Sequence, residues 1–91
     1  MFLFKKVPSV EWPEVDKKDF IIDVRSKEEF KMNNVRGVKN VPLDTIANFN
    51  TDKKVYVMCH SGARSKSAVD ALRKRNIDAY SINGGIMAYE K

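Results

Sequence analysis

Apolar residues in this chain come in short, unbroken runs. "DFIIDV" (19–24) and "VYVMC" (55–59) show no alternation of apolar and polar positions. That is the pattern of strands buried on both faces, as in a parallel sheet. "DAYSI" (78–82) reads as one more short strand. "MFLFKKV" (1–7) suits an edge strand, ended by Pro8, which has no N–H to give to a ladder. "SVEWPEVD" (9–16) has turn character, with Trp12 and Val15 covering one end of the core.

Between these runs the period becomes helical. In "SKSAVDALRKRN" (65–76), Ala68, Val69 and Leu72 form an apolar stripe, basic residues fill the last turn, and Asn76 suits the C-terminal cap. Ser26 with Glu29 three residues on is a capping box, so a helix should begin at Ser26 with Phe30 on its inner face. Leu43, Ile46 and Phe49 lie at the spacing of a helical turn. Before them come a loop with Gly37 and a very short strand ending at Pro42. Gly84-Gly85 should turn the chain into a terminal helix over "IMAYEK" (86–91). Strand and helix thus alternate, which predicts an α/β fold: a central, mostly parallel sheet with helices on both faces. At 91 residues the chain has room for one core, so residues 1–91 are expected to form a single domain.

Composition narrows the function classes. Lys and Arg number 17 against 12 Asp and Glu, a net charge of +5. The basic residues are spread along the chain rather than interleaved with aromatics, which argues for a solvated surface and against nucleic-acid binding. A basic surface also suits an anionic small substrate. One cysteine excludes an internal disulfide and a zinc site built on cysteine pairs, and no metal site is expected. "MFLFKKVPSV" is too short an apolar run for a signal peptide or a membrane span, so no membrane association is expected and the cytoplasm is the expected setting.

The single cysteine and the single histidine are adjacent, as Cys59 and His60. Cys59 directly follows the best strand run, and ligand sites of parallel sheets lie beyond the carboxyl ends of their strands. His60, Ser61, Gly62, Ala63 and Arg64 then lead into a helix expected to start near Ser65, with Ser65 as its cap. The thiolate is the nucleophilic form of cysteine, and curled backbone N–H groups with the positive end of a helix favour an anion. Gly62 allows backbone conformations that a side chain opposes. Arg64 supplies a planar, permanently charged fork for an oxyanion. A lone cysteine after an apolar run is more often a small buried hydrophobe, but a core cysteine needs neither the glycine nor the arginine. His60 reads better as a loop contact or charge than as a proton-transfer group.

With these residues in place the chain resembles the rhodanese-like sulfurtransferase domains. The similarity runs from about residue 9 to 91, through "IIDVRSKEEF" (21–30), "GVKNVPL" (37–43), "VYVMCHSGARS" (55–65) and "INGGIMAY" (82–89), in family order. It implies a single rhodanese-like domain with no cofactor. In the implied chemistry Cys59 takes the outer sulfur of a donor such as thiosulfate and becomes a persulfide. The sulfur then passes to cyanide, a thiol or a protein acceptor. His60, Ser61, Gly62, Ala63 and Arg64 would line the substrate pocket, Arg64 nearest the anion, while Asp23 and Arg25 would brace neighbouring loops. Glu29 falls where family members often pair a carboxylate with a basic residue. The chain departs from the family pattern at Asn34 and Arg36, where His and Pro are usual, and at Tyr89, where Trp is common.

Two other readings use the same residues. The related Cys-dependent phosphatases and arsenate reductases carry one residue more between Cys and Arg, and the shorter loop here favours sulfur over phosphate. A non-enzymatic sulfur carrier or protein-binding module would use the fold without turnover, and the presence of both Cys59 and Arg64 argues against a domain that has lost its chemistry.

Overall fold

The structure is a computed structural model and describes residues 7–89. The edge strand expected over 1–7 lies outside the described residues, Val7 excepted. Five strands form one sheet: β1 (Ser9–Val10), β2 (Phe20–Asp23), β3 (Lys39–Asn40), β4 (Val55–Met58) and β5 (Ala79–Ile82). Their order is β1-β5-β4-β2-β3, and every pairing is parallel. Helices α1 (Lys27–Met32) and α2 (Ala63–Arg73) carry the chain between strands, with 3-10 turns at Trp12–Glu14, Leu43–Asn48 and Gly85–Ala88.

β4 sits at the centre, and all four of its residues are buried. Successive strand side chains point to opposite faces. Val55, Val57 and Cys59 therefore join Ile22, Val24 and Ala79 in one cluster, closed by Ala68, Val69 and Leu72 of α2 and by Ile46. Tyr56 and Met58 join Ile21 and Ile82 on the other face, beneath Trp12, Val15, Ile86 and Tyr89. The expected helical cover on both faces thus takes two forms, with α2 on the first face and mainly 3-10 turns and loop on the second.

Local signals explain most boundaries. The Ser26–Glu29 capping box starts α1 as expected: Ser26 Oγ accepts the Glu29 N–H and Glu29 Oε1 accepts the Ser26 N–H. Phe30 is half-buried but belongs to neither core cluster. At the other end of α2, Asn76 takes φ +64°, with its N–H on Arg73 O and the Ile77 N–H on Leu72 O. These bonds satisfy the last carbonyls of the helix in a Schellman turn. Ser9–Val10 pairs with β5 instead of forming a turn, because two backbone positions suffice to extend a parallel ladder.

A buried ion pair ties the carboxyl end of β2 to its neighbours. Asp23 and Arg25 are both buried, and the Arg25 guanidinium donates to both Asp23 carboxylate oxygens. Its terminal nitrogens also reach Oδ1 and the carbonyl of Asn33, the cap that ends α1. Asn40 of β3 donates to the carbonyls of Asp23 and Arg25. The bracing expected of Asp23 and Arg25 is therefore visible as one network joining β2, β3 and α1.

Removing one partner leaves a buried charge without compensation, which costs about 3–5 kcal/mol. Asp23→Ala should accordingly lower unfolding stability in urea by about that much. A loss below about 1 kcal/mol, the range of an exposed pair, would show that the network is not a brace.

Candidate functional site

Cys59 is the first residue past β4, and it is buried. Its Sγ accepts the Gly62 N–H at 3.1 Å and the Ser65 N–H at 3.3 Å. The chain from 59 to 65 thus curls around the sulfur, with His60, Ser61 and Ala63 exposed, Gly62 buried and Arg64 between these extremes.

One sequence expectation needs correction. α2 starts at Ala63, with Gly62 rather than Ser65 at the cap position. A capping side chain normally accepts the N–H of the second or third helical residue. Here Ser65 is itself the third helical residue, and Cys59 Sγ accepts its N–H. Gly62 supplies the backbone geometry at φ +126°, a region that favours glycine. Ser65 instead donates its hydroxyl back to Gly62 O and pairs with the Ser81 hydroxyl of β5 at 2.7 Å. Both serines are buried, so this pair anchors the helix start to the sheet.

The carbonyl side of the same loop is also held. The Ile86 N–H donates to Cys59 O and the Met87 N–H to His60 O, while the Trp12 indole N–H donates to Gly85 O. Gly85 has φ +53°, and any Cβ there would collide with the Cys59 and His60 carbonyls. The Gly84-Gly85 pair was expected only to turn the chain. It also lets the final 3-10 turn lie directly against the backbone of the site, and Trp12 stacks edge-on against Tyr89 at 4.9 Å beside it.

Arg64 does not stand alone. Its two terminal nitrogens donate to the two carboxylate oxygens of Glu29, the pair being about one-third exposed. Glu29 thereby serves at once as capping partner of Ser26 and as partner of Arg64, residues 35 apart in the chain. The Arg64 guanidinium, followed by the Ser26 N–H, holds the Glu29 carboxyl down at about 2, against an ordinary 4.5. At the departure from the family pattern, the Asn34 side chain donates to Phe30 O at the end of α1. A cleft of about 420 Å³ opens beside Arg64, between the start of α1 and the segment from Pro42 to Thr45.

Comparison with known proteins accords with this geometry. Residues 10–91 match the family described as Rhodanese-like domain. An uncharacterized protein of Bacillus subtilis is 36% identical over 70 residues, covering 71% of this chain and 56% of its own length. A tRNA sulfurtransferase of Desulfurococcus amylolyticus is 36% identical over 69 residues, covering 76% of this chain and 14% of its own. The chain thus spans little more than half of the first relative and a small part of the second. Among solved structures, a rhodanese-like domain protein from Staphylococcus aureus superposes with TM-score 0.83 at 32% identity, covering 93% of each chain.

The depressed Glu29 pKa has a definite sign. A carboxyl titrating lower in the folded chain adds stability that is present above its ordinary 4.5 and is lost as pH falls toward about 2. Thermal melts from neutral pH down to about 2 should therefore fall more steeply for the native chain than for Glu29→Gln. Parallel curves would mean that the pair contributes nothing to folding.

Proposed function

This chain belongs to the rhodanese-like domain family, and from that premise we propose that it is a sulfurtransferase working through a persulfide on Cys59. The observation that carries the proposal is the sulfur itself, placed at the carboxyl end of the central strand and receiving two backbone N–H bonds. Hydrogen bonds donated to sulfur stabilise its anionic, nucleophilic form.

In the proposed reaction the Cys59 thiolate attacks the outer sulfur of thiosulfate or of a low-molecular persulfide. A bond forms between Sγ and that sulfur while the donor's sulfur–sulfur bond breaks. Sulfite, or the donor thiolate, leaves with the electron pair. An acceptor (cyanide, a thiolate or a protein cysteine) then attacks the outer sulfur, and the Cys59 thiolate is released. The N–H groups of Ala63 and Arg64, at the open start of α2, have no acceptor among the described residues. They stand ready for the outer sulfur, as the first N–H groups of a helix need outside partners. His60 and Ser61 form the exposed rim, Gly62 sets the curl, and Arg64 is the cation beside it. A reducing, cytoplasmic setting suits a thiol that must stay unpaired.

The pairing of Arg64 with Glu29 favours a second reading, in which a partner protein supplies or receives the sulfur and the chain acts as a carrier. A cation already engaged by a carboxylate attracts a free inorganic anion less strongly.

Intact-protein mass after incubation with thiosulfate, and separately with cysteine persulfide, tests both. A gain of about 32 Da, one sulfur, is expected on the native chain and absent from Cys59→Ser, with cyanide removing it. Gain from the persulfide alone would select the carrier reading. If neither donor modifies Cys59, the sulfurtransferase proposal fails.

A further inference from the structure

Resting on that reading, we propose that Glu29 is a specificity-determining residue: it cancels the charge of Arg64 at the site and so favours sulfur donors of low charge over dianions such as thiosulfate. The whole chain carries +5, yet the cleft beside the loop does not share that excess. Its charged lining residues are Lys27 and Arg64 against Glu28 and Asp44. Glu29, bound to Arg64, adds a third carboxylate to those two cations.

The geometry makes this pairing durable. Both contacts between the guanidinium and the carboxylate are charge-assisted, at 2.6 and 2.9 Å, and run in parallel. Glu29 is also fixed from behind, since the Ser26 N–H donates to its Oε1 and its own N–H donates to Ser26 Oγ. It cannot swing away from Arg64 without breaking the start of α1. Arg64 is the second residue of α2, next to the Ser65 N–H that the Cys59 sulfur accepts. The charge that Glu29 cancels is thus carried by the same loop that curls around the Cys59 sulfur. A guanidinium has five N–H groups, of which Glu29 takes two, so Arg64 keeps donors for a substrate while losing most of its field.

Glu29→Gln separates charge from shape. Glutamine is equally suited to the capping box, so α1 keeps its start while the negative charge disappears. The readout is the rate of Cys59 alkylation by iodoacetate, an anion, relative to iodoacetamide, its neutral counterpart. The ratio should rise about threefold to tenfold in Glu29→Gln, as expected for one uncancelled unit charge close to the sulfur in partly screened surroundings. Glu29→Asp, which retains the charge, should stay near the native ratio. The Michaelis constant for thiosulfate should fall in Glu29→Gln by a similar factor, with kcat changing by less than about twofold.

A purely structural role for Glu29 would move both alkylation rates together and leave their ratio unchanged, and that result overturns the proposal. So does a ratio that rises equally in Glu29→Asp, because loss of charge would then not be the cause. Alkylation needs no sulfur donor. If the native chain takes sulfur from no donor, the sulfurtransferase reading falls while the ratio still decides the role of Glu29.

Discussion

The sulfur of Cys59 closes the first turn of α2. Helix starts need acceptors for their leading N–H groups, and a serine, threonine, aspartate or asparagine side chain normally supplies one. Here a side chain from the end of β4 does so across six residues of chain, and the cap position falls to Gly62. The sulfur is therefore part of the fold's own hydrogen bonding. Strand, loop and helix cannot take up their places without bringing N–H groups onto that sulfur.

The remaining supports converge on this turn from different layers. Ser81 fixes Ser65 from beneath, through a buried hydroxyl pair. The Gly85–Ala88 turn holds the carbonyls of Cys59 and His60 from the side. Asp23 and Arg25 keep the adjoining end of β2 in register with β3 and with the end of α1, whose first turn presents Glu29 to Arg64. Every buried side-chain nitrogen and oxygen among the described residues has a partner. The geometry around the sulfur is thus set by the protein's own contacts, the preorganisation that the proposed chemistry would call for.

Much of this was legible in the sequence. The unbroken runs at 19–24 and 55–59 pointed to buried parallel strands, the Ala68–Val69–Leu72 stripe to the face of α2, and Ser26 with Glu29 to the start of α1. These signals are local, because side-chain period and capping chemistry act within a few residues. The strand character of Ser9–Val10 was hidden, since two residues carry no period and owe their state to β5. The cap of α2 was placed three residues late, at Ser65 instead of Gly62, because a sulfur cap has no motif of its own. The Glu29–Arg64 contact joins residues 35 apart. Family resemblance marked Glu29 as a carboxylate that pairs with a base, but local chemistry already accounted for it as a cap. The demand on Gly85 could be read only as a turn, because the carbonyls it accommodates come from another element.

The bonds from Ile86 and Met87 have a consequence for what the loop can host. They occupy the Cys59 and His60 carbonyls, and Gly62 O is taken by Lys66 N–H and the Ser65 hydroxyl. Three carbonyls of the loop are thus engaged within the protein, while the Gly62 and Ser65 N–H groups point to the Cys59 sulfur. Hard cations such as magnesium or calcium, which seek oxygen ligands, meet no free carbonyl from these three residues. The withdrawal of these carbonyls rests mainly on main-chain hydrogen bonds, which side-chain substitution has little means of reversing.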